Sequence, residues 1–213
     1  MVFLELMKKF FDSNNPVMRF LSRLVDLAIV NILTVFTSVL LITAGGAITA
    51  MNHVLLHLVR EDETYITKMF WTSFKANFKQ GILEGLLLIA VGAITAIDMW
   101  ALHGSESRLA TLMMITITII AIFMAVTFVY MFALQSRYEN TVRGTIANAL
   151  RLAIGNLPKT AGMIIIWLIW VLILVYLHKA APAFFMLYGL SLPGYLCAML
   201  YNGVFENLET EGE

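Results

Sequence analysis

The chain has 213 residues, 60% of them hydrophobic and 13% charged, with a mean hydropathy of +0.84 and a formal net charge of zero. Soluble domains carry about a quarter charged residues, so this deficit excludes an ordinary water-soluble globule. The balanced charge gives no electrostatic reason for a nucleic-acid partner, and the single cysteine, Cys197, excludes a disulfide framework or zinc-type cysteine spacing.

In chain order, residues 2–11 form a small amphipathic pattern, with Phe3, Met7, Phe10 and Phe11 on one helical face and Glu5, Lys8 and Lys9 off it. Ser13-Asn14-Asn15-Pro16 breaks it, with Asn15 a cap for the next helix and Pro16 suited to its first position. The first predicted span covers 17–44, with Arg19 and Arg23 near its start, Asp26 and Asn31 inside, and Gly45-Gly46 ending it. A run of about 20 apolar residues suits a crossing better than a signal peptide, so the mature chain is expected to begin at Met1 or Val2. A shorter apolar segment, 47–60, carries Asn52, His53 and His57.

Residues 60–81 are too polar to span. Ile66, Phe70, Phe74 and Phe78 recur every four residues, while Lys68, Lys75 and Lys79 lie off that stripe. The spacing predicts a helix over 64–79 lying on the cytoplasmic bilayer surface, aromatic face in lipid. Charge placement decides whether 47–60 crosses. If it does, all of the 14 basic residues except Arg108 and Lys179 fall on one side, as the positive-inside rule requires. Both termini are then cytoplasmic.

The remaining spans are predicted at 81–102, 109–134, 160–178 and 182–204. Gly81 and Gly85 form a G-x-x-x-G that lets another helix approach closely. A second cytoplasmic amphipathic helix, 141–157, has Ile146, Leu150 and Ile154 on its apolar face and Arg143, Asn148 and Arg151 off it, and Pro158 is expected to end it. Pro193-Gly194 is expected to kink the sixth span. The tail, with Glu206, Glu209, Glu211 and Glu213, reads as frayed. The order short span, amphipathic helix, Asn, span describes 47–102 and again 121–178, which is either a parallel repeat or chance similarity of apolar segments.

The chemistry-bearing residues are few. His53 and His57 share a helix face at metal-chelating spacing, but no third histidine lies nearby. Asp26 or Glu84 from neighbouring helices could complete such a site; otherwise the imidazoles hydrogen-bond inside the bundle. Asp26, Asn31, Asn52, His53, His57 and Glu84 are the candidate intramembrane polar residues, since buried carboxylates and amides there are costly. For Asp26, a local pair with Arg23 is the simpler reading. Phe70, Phe74, Lys75, Asn77, Phe78, Lys79, Arg137 and Arg151 are the candidate interaction residues. Nothing resembles a P-loop, a nucleophile motif or a zinc-protease helix. No enzyme activity and no cofactor or metal are expected.

Several strings, taken together, resemble the YesL family of small bacterial membrane proteins. They are N-P-V-M-R-F-L from Asn15, T-A-G-G-A-I-T-A-M-N-H-V-L-L-H-L-V-R-E-D-E from Thr43, and F-W-T-S-F-K-A-N-F-K-Q-G from Phe70. A-L-Q-S-R-Y-E-N-T from Ala133 and A-I-G-N-L-P-K-T from Ala153 complete the set. The Ser73–Gln80 string is the most specific, and the resemblance covers about 14–180. The chain departs from the family at Gly45-Gly46-Ala47, where I-G-P or I-G-A is usual. Members of that family have no assigned activity and tend to be encoded beside carbohydrate ABC importers. The resemblance therefore implies a place near sugar uptake and supplies no catalytic residues.

The reading is an all-α polytopic bundle of six crossings, one short, with cytoplasmic interfacial helices, forming a single membrane domain over 1–213 in a bacterial plasma membrane. The expected role is a non-enzymatic accessory or assembly partner of a carbohydrate importer, its partners the bilayer and an ABC permease. A transporter or channel in its own right, or an intramembrane enzyme, is the alternative.

Overall fold

A computed structural model describes residues 16–62, 65–105 and 107–210, with side chains to 207. The expected helix at 2–11, the Asn15 cap and the tail at Glu211 and Glu213 lie outside the described residues, while Glu206 and Glu209, expected to fray, belong to the last helix, which runs to Thr210. Among those described, every regular element is helical: α1 (Pro16–Thr37), a 3₁₀ turn (Leu41–Thr43), α2 (Ala44–Val59), α3 (Ile66–Ala76), α4 (Phe78–Leu102), α5 (Arg108–Arg137), α6 (Val142–Gly155), α7 (Leu157–Tyr176), α8 (Ala181–Tyr188) and α9 (Ser191–Thr210). Five segments are long and apolar enough to cross a membrane, or six if the pair α8–α9, bent by 45° at its break, is counted as one span.

The segment expected to be short reaches 19 residues once its 3₁₀ lead is included, and it is the most enclosed: 61% of its window is buried, against 11% for α4 and 17% for α5 and α7. So α2 is the centre, contacted by α1, α3, α4, α5 and α9, and the outer faces of α4, α5 and α7 are apolar and exposed, as lipid-facing helices are. Lipid tails are as apolar as leucine, so contacts between spans are held by packing and hydrogen bonds rather than by the hydrophobic effect.

The glycines show how α2 is held. Gly45 and Gly46 do not end α1, which stops at Thr37; they lie in the first turn of α2. Thr43 Oγ1 donates to the Thr37 and Leu40 carbonyls and closes the turn between the helices. A Cβ on Gly45 would fall on the Gly81 carbonyl oxygen, and one on Gly81 would lie 2.5 Å from Gly46 N and Cα. Backbone therefore meets backbone, and the G-x-x-x-G of α4 has its partner in this Gly-Gly.

Further expectations are corrected. The aromatic stripe does not face the bilayer. α3 folds back on α2, Phe70 is 0% exposed, and Phe74 and the Phe78 backbone cover Gly46. Periodicity had given the stripe but not the neighbour, and the bare glycine surface of α2 takes the rings. On α6 the positions buried against protein are Thr145, Ala149 and Ala153, and Leu150 and Ile154 stay exposed on the apolar face expected to meet the bilayer. Pro158 starts α7 rather than ending α6, because the first helical turn needs no proline N–H. The bend in the sixth span sits at Gly189-Leu190, one turn before Pro193-Gly194. A helical proline strips the hydrogen bond from the carbonyl four residues back, which for Pro193 is Gly189.

Candidate functional site

The polar side chains of the spans converge on α2 and on the α8–α9 break. Asn31 of α1 is fully buried at that break. Its Nδ2 donates to the Phe185 and Met186 carbonyls at 2.9 and 2.8 Å. Its Oδ1 accepts from Leu190 N and Ser191 N at 2.8 and 3.0 Å. One amide thus satisfies the carbonyls of one helix end and the N–H groups of the next helix start, groups that lipid would leave orphaned. Trp170 Nε1 donates to the freed Gly189 carbonyl at 3.0 Å.

Around α2 the pattern repeats. Thr49 Oγ1 donates to Gln135 Oε1 of α5 at 3.0 Å. Tyr201 of α9 donates to Asn52 Oδ1 at 2.8 Å, while Asn52 Nδ2 donates to the Ile48 carbonyl. His53 Nδ1 lies 2.9 Å from the Ser136 carbonyl, and His57 Nδ1 2.8 Å from Asp62 Oδ2. The two imidazoles meet edge-on, centroids 4.8 Å apart, and each is engaged by a different neighbour instead of converging on a common point. No group of three His, Cys, Asp or Glu suited to a metal occurs among the described residues. At the end of α2, Glu61 takes a positive φ of 59° and faces Arg19 of α1 at 3.9 Å, and Arg60 Nε donates to Asn202 Oδ1 at 3.0 Å. α1 packs along α2, and the exposed Arg19–Glu61 pair lies at the open end of that hairpin.

Asp26 is half-buried, and its expected pair with Arg23 does not close: the ion pairs among the described residues are Arg19–Glu61 and His57–Asp62. Arg23 lies instead over the Tyr195 ring at 5.9 Å. Glu84 is fully buried and receives one hydrogen bond, from Gln80 Nε2 at 3.1 Å.

The candidate interaction residues divide. Phe70, Phe74, Asn77 and Arg137 face inward. Asn77 Nδ2 donates to the Ser73 carbonyl at 3.0 Å, and the Arg137 guanidinium sits over the Tyr138 and Phe205 rings at 5.5 and 5.7 Å. Lys75, Phe78, Lys79 and Arg151 are exposed, and so is Trp71, which the sequence reading passed over. Gln135, Thr49, Tyr201 and Asn202 were also passed over. Each is a lone polar group within or at the end of an apolar run, and that isolation is the one signal that could have marked them.

A family model described as a protein of unknown function, DUF624, matches residues 27–99, which run from α1 through most of α4. These residues hold the glycine contact, the aromatic stripe, Asn31, Asn52, His53, His57 and Glu84. No curated protein and no solved structure matches the chain. The YesL family is itself a DUF624 family, so over this third of the chain the match agrees with the sequence resemblance at that broader level.

Proposed function

We propose that this chain is a non-enzymatic membrane protein acting as an accessory or assembly partner in carbohydrate uptake, set in a bacterial plasma membrane with both termini cytoplasmic. One observation carries the reading. Glu84 aside, most polar side chains buried between the spans close helix contacts, while α3 and the start of α4 turn basic and aromatic groups outward and α6 turns out Arg143 and Arg151. Side chains that hold helices together are poorly placed to line a path, and an outward Trp71, Lys75, Phe78 and Lys79 suits a partner's surface or lipid headgroups. The Arg19–Glu61 hairpin supports the orientation that gathers the basic residues on the cytoplasmic side. The link to carbohydrate and to an ABC permease rests on the resemblance to the YesL family.

Liposomes holding only the purified chain test the reading. The expected result is sugar flux no faster than in empty liposomes. Saturable flux would overturn it in favour of a transporter. That second reading draws on a specific correspondence. Asn77 and Asn156 each stand alone between two helices, and each donates Nδ2 to the carbonyl four residues back, at 3.0 and 3.3 Å. A parallel repeat of this kind is a transporter architecture.

A further inference from the structure

Glu84 is the carboxyl group that the fold leaves uncompensated. It is fully buried beside Gly85, where α4 and α2 come closest. Gln80 Nε2 holds Oε1 and also reaches Thr145 Oγ1 of α6 at 3.4 Å, but Oε2 has no hydrogen-bond partner among the described residues.

The charged and titratable groups of the packed elements face elsewhere. On α2, His53 meets the Ser136 carbonyl and His57 meets Asp62. Lys68 and Lys75 on α3 are exposed, as are Arg108 on α5, Arg143 and Arg151 on α6, and Lys79 and Asp98 on α4 itself. On α5, Arg137 lies over two rings and Tyr130 is set toward Thr160 and Cys197. The 3₁₀ turn carries no such group. A lone carboxylate in an apolar interior is strongly disfavoured, and no cationic side chain among the described residues meets this one, so a positive charge from beyond them completes the site.

We propose that Glu84, with Gln80 and Thr145, binds a single monovalent cation, supplied as a proton on Oε2 or as a sodium ion held by the carboxylate and the Gln80 and Thr145 oxygens. The shared chemistry is neutralisation of one buried carboxylate where α4 meets α2 and α6. For sodium, the Gln80 amide turns its oxygen inward, since amide orientation is an assignment made from the hydrogen-bond network. The site stands apart from the accessory role and holds whether or not a partner binds.

The test uses the full chain purified in detergent, with the unfolding temperature as readout. One arm replaces choline by sodium at fixed pH and ionic strength; the other varies pH at fixed salt without sodium. Glu84→Gln, a neutral isostere that needs no cation, is measured beside the parent. The expected result is that the parent gains stability with sodium or with falling pH, and that Glu84→Gln loses that dependence. Parallel curves for the two proteins in both arms would overturn the site. Should Glu84→Gln fail to fold, the infrared carboxyl bands of parent protein carrying ¹³C-labelled glutamate give a second reading. A buried carboxyl band that titrates with either cation supports the site, and one unchanged in both titrations overturns it.

Discussion

Two units of this bundle share an order and differ in how they close. In the first, α2, α3 and α4 run span, amphipathic helix, span; in the second, α5, α6 and α7 do the same. Each has a one-residue Asn joint before its second span. In the first unit the two spans touch through bare backbone at Gly45-Gly46 and Gly81-Gly85, and the amphipathic helix lays large side chains, Ile66 and Phe70, into the core. In the second unit α7 packs mainly on α9, and α6 buries the small stripe Thr145, Ala149 and Ala153. Side-chain volume has moved from the spans to the connecting helix in one unit and the other way in the second. Close packing demands a fixed total volume, not a fixed owner of it.

The largest expected effect breaks the first unit. Phe70→Ala should destabilise by about 3–5 kcal/mol, since it empties a fully buried ring site. In α6, Leu150→Ala, at 39% exposed, should stay below about 1 kcal/mol in the same detergent unfolding assay. Similar losses at both sites would erase the contrast. Next comes Gly81→Ala, whose Cβ meets Gly46 backbone at 2.5 Å and should lower stability by about 1–3 kcal/mol. Gly92→Ala, on the same helix with nothing within 4 Å, should instead raise it by about 0.5–1 kcal/mol.

A cap distinguishes the two connecting helices. Thr141 Oγ1 accepts from Gly144 N at 3.2 Å, whereas Tyr65 gives α3 no side-chain cap. Thr141→Ala should cost about 1 kcal/mol, and Tyr65→Ser should be neutral or stabilising in chemical unfolding. The smallest effects concern the joints. Asn77→Ala and Asn156→Ala should each cost about 0.6 kcal/mol, and matching values would strengthen the repeat.

Much of this was legible in the sequence, for reasons that also mark the boundary. Four-residue aromatic spacing gave the α3 helix, but periodicity defines a face and not what covers it, so lipid was named where α2 stands. Gly81-x-x-x-Gly85 announced a close approach. Its partner, Gly45-Gly46, read as a terminator because adjacent glycines usually break helices, and only contact with a second backbone reveals their use. Asn31 was visible as a costly amide in a span, yet its partners lie 154 and more residues away. Pro193 announced a break and Gly189 received it, one turn earlier.

The most direct test of the account is copurification from native membranes. The parent chain should bring down a carbohydrate ABC permease. The triple variant Trp71→Ala, Lys75→Ala, Lys79→Ala should lose it while keeping the parent's helicity, its unfolding temperature lowered only by the loss of the Trp71 edge contacts with Phe70 and Phe74. Retention of the permease by a normally folded triple variant, or its absence from the parent's purification, would contradict the account.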